Sequence, residues 1–214
     1  MKAVIFDLDG TLLDTIDDIA DSMNNVLRRH GFTQHTKEKY KLFVGDGAAA
    51  LVDRATGGSI SDKQLLMQLE NEYRAEYSVL KTNKTVPYYG MAELLSILTK
   101  RGVKIAVLSN KPHNASVEVI ADYFPGVHFD AVIGQRAGRP VKPSPDGVME
   151  ILEILGVARE EVLYVGDTGT DMLTAAAAGL KAVGALWGFR DKDELKENGA
   201  EIFAENPLDV LRFL

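Results

Sequence analysis

The sequence predicts an α/β fold, a doubly wound parallel sheet with an inserted four-helix cap, and three observations predict it. Short apolar runs of strand length recur along the chain, helical periodicity fills the segments between them, and the gap after the first run is too long for one crossover helix. A hydrophobic content of 46% over 214 residues supplies a real core and excludes disorder as the main state.

The first strand is Ala3 to Phe6, and Asp14-Thr15 reads as the outgoing linker. Ile16, Ile19, Ala20, Met23, Val26 and Leu27 then share one helical face, with Gly31 where a helix stops. Lys37 to Val44 and Ala48 to Ala55 read as two shorter helices around the Gly45-Asp46-Gly47 break. Ser61, followed by Gln64, is expected to open a longer helix as a capping box, with Leu65, Leu66, Leu69, Tyr73 and Tyr77 on its apolar side. Lys81 to Pro87 has the polar and proline content of a return linker, so two adjacent linkers would form a hinge. The expected division is an α/β core of residues 1–14 and 84–214 and a helical cap of residues 15–83. Val103 to Leu108, Phe129 to Ile133, Val162 to Val165 and Lys181 to Leu186 complete five strands, and Thr170 to Ala178 is a helix ended by Gly179.

Composition narrows the function. With 24 Lys+Arg against 31 Asp+Glu, the net charge of −7 argues against nucleic acid as a partner. No apolar run is long enough for a membrane span or a secretory leader, so the expectation is a soluble, unprocessed, cytoplasmic chain without a membrane partner. The absence of cysteine removes disulfides, thiolate nucleophiles and Cys-ligated metals, while leaving oxygen-ligated cations possible. Nothing in the sequence assigns an oligomeric state.

The chemistry gathers at predicted strand ends. Asp7-Leu8-Asp9-Gly10-Thr11 follows the first strand, Ser109-Asn110-Lys111 the second, and Gly166-Asp167-Thr168-Gly169-Thr170-Asp171 the fourth. Lys142-Pro143 lies in the loop beyond the third. In an open α/β sheet these ends line the ligand crevice. Two carboxylates about 4 Å apart at an effective dielectric near 20 repel by roughly 4 kcal/mol, so such a group needs a cation before it can receive a phosphate. With oxygen donors only, Mg²⁺ is the expected metal. Lys142 would neutralise further charge, and Thr11, Ser109 and backbone N–H groups would hold phosphate oxygens.

These four motifs, in this order and spacing, resemble the haloacid dehalogenase superfamily over nearly the whole chain. The resemblance implies a HAD-like core in which Asp7 is the nucleophile, forming an aspartyl-phosphate, and Asp9 is the general acid and base. It implies metal ligation by the Asp7 carboxylate, the Asp9 backbone carbonyl and Asp167, with Asp171 supporting the metal or its waters. Ser109 takes the place of the phosphate-binding Ser/Thr and Lys142 that of the motif lysine, with Asn110 and Thr11 beside them on the phosphate. An Asp at position 9 favours hydrolysis, since superfamily members with a persistent phospho-aspartate, and the dehalogenases, lack it.

Within the superfamily, the helical cap and the wording Val44-Gly45-Asp46-Gly47-Ala48 before Leu51-Val52-Asp53-Arg54-Ala55 resemble phosphoglycolate phosphatases. That implies a small phosphorylated substrate, 2-phosphoglycolate, with Gly45, Asp46, Gly47 and Arg54 as candidates for contact with its organic part. Gly134-Gln135-Arg136-Ala137-Gly138-Arg139 departs from the pattern of many relatives, although a basic rim at Arg136 and Arg139 suits an acidic substrate. Inorganic pyrophosphatase, sugar-phosphate phosphatase and a phosphoglucomutase-like enzyme are alternatives within the same chemistry. A catalytically idle phosphate-binding module is the alternative outside it. Asp14, Asp17, Asp18 and Asp21 read as surface residues at a helix N-terminus, Trp187 and Phe189 as packing, and Lys111 as open between phosphate-site support and surface.

Overall fold

The computed structural model describes residues 1–214. In chain order its elements are β1 (Ala3–Phe6), β2 (Leu13–Asp14), α1 (Ile16–Arg29), α2 (Lys37–Phe43), α3 (Ala48–Ala55), α4 (Lys63–Leu80), β3 (Val86–Pro87), α5 (Met91–Lys100), β4 (Lys104–Pro112), α6 (His113–Tyr123), β5 (Ala131–Gln135), α7 (Asp146–Leu155), β6 (Val162–Gly166), α8 (Gly169–Ala178), β7 (Lys181–Ala185), α9 (Lys192–Glu197) and β8 (Ile202–Ala204). Two compact units result, one of Met1–Leu13 with Pro87–Leu214 and one of Asp14–Val86. β2 and β3 form a two-stranded sheet of their own. No helix is long and apolar enough to cross a membrane.

The first unit is a six-stranded parallel sheet of order β5-β4-β1-β6-β7-β8. Its strands are nearly continuous apolar runs because both faces are covered. Alternate residues serve opposite faces. Val4, Phe6, Ile105, Val107, Leu163 and Val165 pack with Met91, Leu94, Leu95 and Leu98 of α5 and Val119 and Ile120 of α6. Ala3, Ile5, Ala106, Leu108, Val162 and Tyr164 pack with Val148, Ile151 and Leu155 of α7 and Ala175 and Ala178 of α8. Each fully buried Ile, Leu or Phe contributes about 1.5–3 kcal/mol, and this two-sided burial fixes the strand register. Phe6 pairs with Val107 on one side and Val165 on the other, so the residues beyond Phe6, Val107 and Val165 emerge on one rim. The chain winds outward from β1 first one way and then the other, which places a crevice at that rim.

Two expectations for the sheet are revised. A sixth strand, β8, had no distinct signal because it is a three-residue apolar run between Glu201 and Glu205. β4 continues past Leu108 to Pro112, with an irregularity in its pairing to β5 between those residues.

In the helical unit, α1 packs against α2 and α4, and α3 against α4. Ile19, Met23, Val26 and Leu27 of α1, Leu51 and Val52 of α3, and Leu69, Tyr73 and Tyr77 of α4 are buried. Helix α1 ends in a left-handed Gly31 with φ 74°. The Phe32 N–H bonds to the Leu27 carbonyl at 2.9 Å and the Gly31 N–H to that of Arg28 at 3.3 Å, a Schellman closure. The start of α4 differs from expectation: Asp62, not Ser61, is the N-cap, its carboxylate accepting the Gln64 N–H at 2.8 Å. Asp18 also differs. It is fully buried rather than on the surface, accepting the Lys84 and Thr85 N–H groups and the Thr85 hydroxyl, which ties α1 to the segment that returns from α4.

Candidate active site

Asp7 directly follows β1, and its N–H bonds to the Val165 carbonyl at 2.9 Å, continuing the sheet by one step. Its carboxylate is nearly buried, and Lys142 Nζ lies 2.8 Å from Oδ1. No protein donor reaches the other oxygen. The same Lys142 ammonium is 2.7 Å from Asp171 Oδ1, so one buried cation bridges carboxylates delivered by two strand ends.

Asp167 follows β6 and is fully buried. Thr11 Oγ1 donates to one of its oxygens at 2.9 Å and the Phe189 N–H to the other at 2.8 Å. Asp171 occupies the first turn of α8, where Thr168 and Asp171 form a reciprocal capping box. Carboxylate oxygens of Asp7, Asp167 and Asp171 all lie within 4.8 Å of one another.

The electrostatics are those of a crowded, dry acidic cluster. Burial, reinforced by the Asp171 and Asp167 charges, holds the Asp7 carboxyl well above its usual range despite Lys142. Burial and the Asp171 charge push Asp167 up to about 7, against the opposing Phe189 N–H, Thr11 hydroxyl and Arg190 charge. Burial works against the Lys142 charge, but Asp171 and Asp7 outweigh it and hold the ammonium well above its ordinary value. Tyr164 donates its hydroxyl to Asp171 at 3.1 Å, and burial pushes that phenol up.

These carboxylates fit a hard divalent cation. The donors are all oxygen, their mutual repulsion is what a cation relieves, and each Asp167 oxygen accepts one hydrogen bond and keeps a lone pair. Asp171 belongs to the same carboxylate group and has the most protein donors of the three. It accepts from Thr168 N–H, Thr168 Oγ1, Lys142 and Tyr164, which fills about four acceptor positions and braces Lys142.

Two residues expected on a phosphate also hold protein groups in place. The Thr11 hydroxyl proton is committed to Asp167. The Asn110 side chain is joined at both ends to the Lys142 backbone, its amide donating to the carbonyl at 3.2 Å and its oxygen accepting the N–H at 2.9 Å, so it holds the lysine loop in place. Ser109 keeps its expected capacity: Oγ accepts the Lys111 N–H at 3.1 Å, leaving the hydroxyl proton to donate.

Asp9 stands apart from the carboxylate cluster, with both oxygens bonded to Lys111 Nζ at 2.7 and 2.8 Å. The Lys111 side chain is therefore turned in from the surface, 7% exposed. In the helical unit, Arg54 donates to the Phe43 carbonyl at 2.9 Å and to the Asp46 carboxylate at 2.5 Å, so its guanidinium braces the Gly45–Gly47 turn. Arg136 pairs with Glu150, and that pairing depresses the Glu150 carboxyl.

Sequence reasoning missed the loop after β7. Trp187 Nε1 donates to the Thr11 carbonyl at 2.9 Å, Phe189 supplies an N–H to Asp167, and the glycine between them packs so closely that a Cβ on Gly188 would meet Asp167 Cβ at 2.2 Å and the Gly10 carbonyl oxygen at 2.5 Å. A Cβ on Gly10 would likewise meet Asp167 Oδ2 at 2.2 Å. A glycine just beyond a parallel strand was the available signal for this clasp.

Known proteins resemble this chain over most of its length. A protein from Pseudomonas fluorescens (strain Pf0-1) named phosphoglycolate phosphatase is 32% identical over 214 residues, covering 98% of this chain and 76% of that protein. One of the same name from Aquifex aeolicus is 32% identical over 189 residues, 88% and 86% of the two chains. A crystal structure from Lactobacillus delbrueckii subsp. bulgaricus, provisionally named as a phosphoglycolate phosphatase, superposes with a TM-score of 0.92 at 31% identity, covering 98% and 96% of the two chains. The family model for haloacid dehalogenase-like hydrolases matches residues 4–185, and with these relatives it establishes that the chain belongs to the haloacid dehalogenase-like hydrolase family.

Proposed function

We propose that this protein is a Mg²⁺-dependent phosphomonoesterase that acts through an aspartyl-phosphate on Asp7, with 2-phosphoglycolate as its substrate. The observation that carries the reading is the convergence of Asp7, Asp167 and Lys142 at one buried rim, with an Asp7 oxygen left without a protein donor. Asp7 and Asp167, with the Asp9 backbone carbonyl, would hold the metal, which when bound neutralises the carboxylates and polarises a phosphoryl oxygen.

In the first step an Asp7 oxygen attacks phosphorus and the ester P–O bond breaks. The bonding pair leaves with the alkoxide oxygen, and Asp9 protonates it. In the second, water attacks the phospho-aspartate, losing its proton to Asp9, and the acyl–phosphate bond breaks to regenerate the Asp7 carboxylate and release phosphate. Lys142 balances charge on Asp7 throughout, Asp171 and Asn110 keep Lys142 in place, and Ser109 donates to a phosphoryl oxygen. The substrate preference is supported by the relatives named phosphoglycolate phosphatase. We assign the helical unit the part of specificity cap, with the Gly45–Gly47 turn and Arg54 as its contributing segment.

The test is phosphate release from a panel of phosphoesters, with Mg²⁺ and with chelator. A kcat/KM for 2-phosphoglycolate at least about tenfold above those for sugar phosphates and pyrophosphate, equivalent to about 1.4 kcal/mol, supports the substrate. Asp7→Asn is expected to abolish release, and equal rates in mutant and wild type would sink the nucleophile assignment.

A further inference from the structure

The buried Lys142 and the partly buried Lys111 divide the carboxylates of the rim between them. Lys142 bridges Asp7 and Asp171, whereas Lys111 is bound to Asp9 through both oxygens. Neither role is interchangeable, because the lysines arrive from different loops: Lys142 from the segment beyond β5, Lys111 from the end of β4.

Local structure aims Lys111. Its N–H is captured by Ser109 Oγ at 3.1 Å, a side-chain turn that fixes the backbone two residues on, where the pairing of β4 with β5 becomes irregular. The result is a side chain 7% exposed against an Asp9 side chain 19% exposed. No other side chain hydrogen-bonds the Asp9 carboxylate, so its orientation rests on this one ammonium. A group that moves a proton at a defined atom must be held in a narrow geometry, and a carboxylate on a loop turns freely without a partner.

We propose that Lys111 is a positioning residue for proton transfer, holding the Asp9 carboxylate by both oxygens so that its free lone pairs face the reacting centre. This rests on the phosphatase reading above. It deepens that reading by giving the Ser109-Asn110-Lys111 segment three separate tasks: a phosphate donor, a brace for Lys142 and a holder for Asp9.

The experiment compares wild type, Lys111→Met and Lys111→Arg on two substrates with Mg²⁺ present, after circular dichroism has checked folding. 2-Phosphoglycolate needs a proton on its leaving oxygen, whereas p-nitrophenyl phosphate releases a stable anion that does not. K111M is expected to lower kcat on 2-phosphoglycolate by about 30-fold with KM changed less than about threefold, a fraction of what a general acid–base supplies. On p-nitrophenyl phosphate its first turnover should stay at the wild-type rate, visible as a burst, and be followed by slow turnover because hydrolysis still needs Asp9. K111R, which keeps the charge and offers paired donors, should recover most of the loss. If K111M does not fold, K111Q takes its place in the same comparison.

Wild-type kcat in K111M, a loss confined to KM, equal slowing of the p-nitrophenolate first turnover, or K111R as slow as K111M each overturns the inference while the phosphatase reading stands. A wild-type protein that releases phosphate from none of the esters overturns that reading, and the inference with it.

Discussion

At the scale of single residues, the site is governed by close approach as much as by charge. Asp167 can be buried beside Asp7 only because Gly10 and Gly188 carry no side chain, and because a hydroxyl and a backbone N–H answer its two oxygens. Gly188→Ala puts a methyl group within 2.5 Å of both Asp167 and a backbone carbonyl, and backbone cannot step aside as a flexible side chain could. The loop after β7 must shift and the Phe189 N–H must leave Asp167. The expected outcome is a loss of about 1–3 kcal/mol in stability by denaturant titration, together with divalent-cation affinity weakened by roughly tenfold, since a ligand set loosened at its support typically loses at least that much. Unchanged affinity would show that the clasp does not position Asp167.

At the scale of elements, the ends of helices and strands carry more information than their middles. The capping box that starts α8 also fixes Asp171, so the signal that begins the helix orients the residue that braces Lys142. The corresponding signal before α4 is ambiguous in the sequence, because Ser61 and Asp62 are both good caps and only backbone geometry selects between them. Asp62→Ala should therefore cost about 1 kcal/mol, or roughly 2–4 °C in Tm for a chain of this size, whereas Ser61→Ala should leave thermal unfolding unchanged. The reverse ranking would restore Ser61 as the cap. Elsewhere the apolar runs and helical faces were legible at once: β1 and α3 have the bounds that the pattern indicated, while β8 is too short and too closely flanked by charge to register.

Across the whole molecule, folding concentrates acidic groups in a place where they resist ionising. Asp167 titrates near 7 in the folded chain against an ordinary 3.8, its elevation caused first by burial and then by the Asp171 charge. The folded state therefore binds more protons than the unfolded chain between about pH 4 and pH 7, so in chelator this group's contribution to stability is present at the acid end and lost as pH rises through about 7. A divalent cation competes with those protons. Its affinity should climb by up to about tenfold per pH unit for each proton displaced, flattening above about pH 7, with proton release detectable by calorimetry in buffers of different ionisation enthalpy. A pH-independent affinity between pH 5 and 7 would show that Asp167 is already ionised in the metal-free fold.

The sequence by itself determined the fold class, the rim and its principal carboxylates, because strand-length apolar runs followed by Asp, Ser and Asp are local signals that a parallel sheet aligns. It also pointed to the family through motif order alone. Only the tertiary structure decided which partner each polar group takes: Thr11 on Asp167, Asn110 on the Lys142 backbone, Asp171 saturated by four donors, Lys111 on Asp9, and Arg54 on its own turn. The reason is physical. Apolar periodicity is repeated over many residues and survives as a pattern, whereas a hydrogen bond between residues 102 or 156 positions apart depends on distances of a few ångströms that exist only once the sheet has brought the loops together.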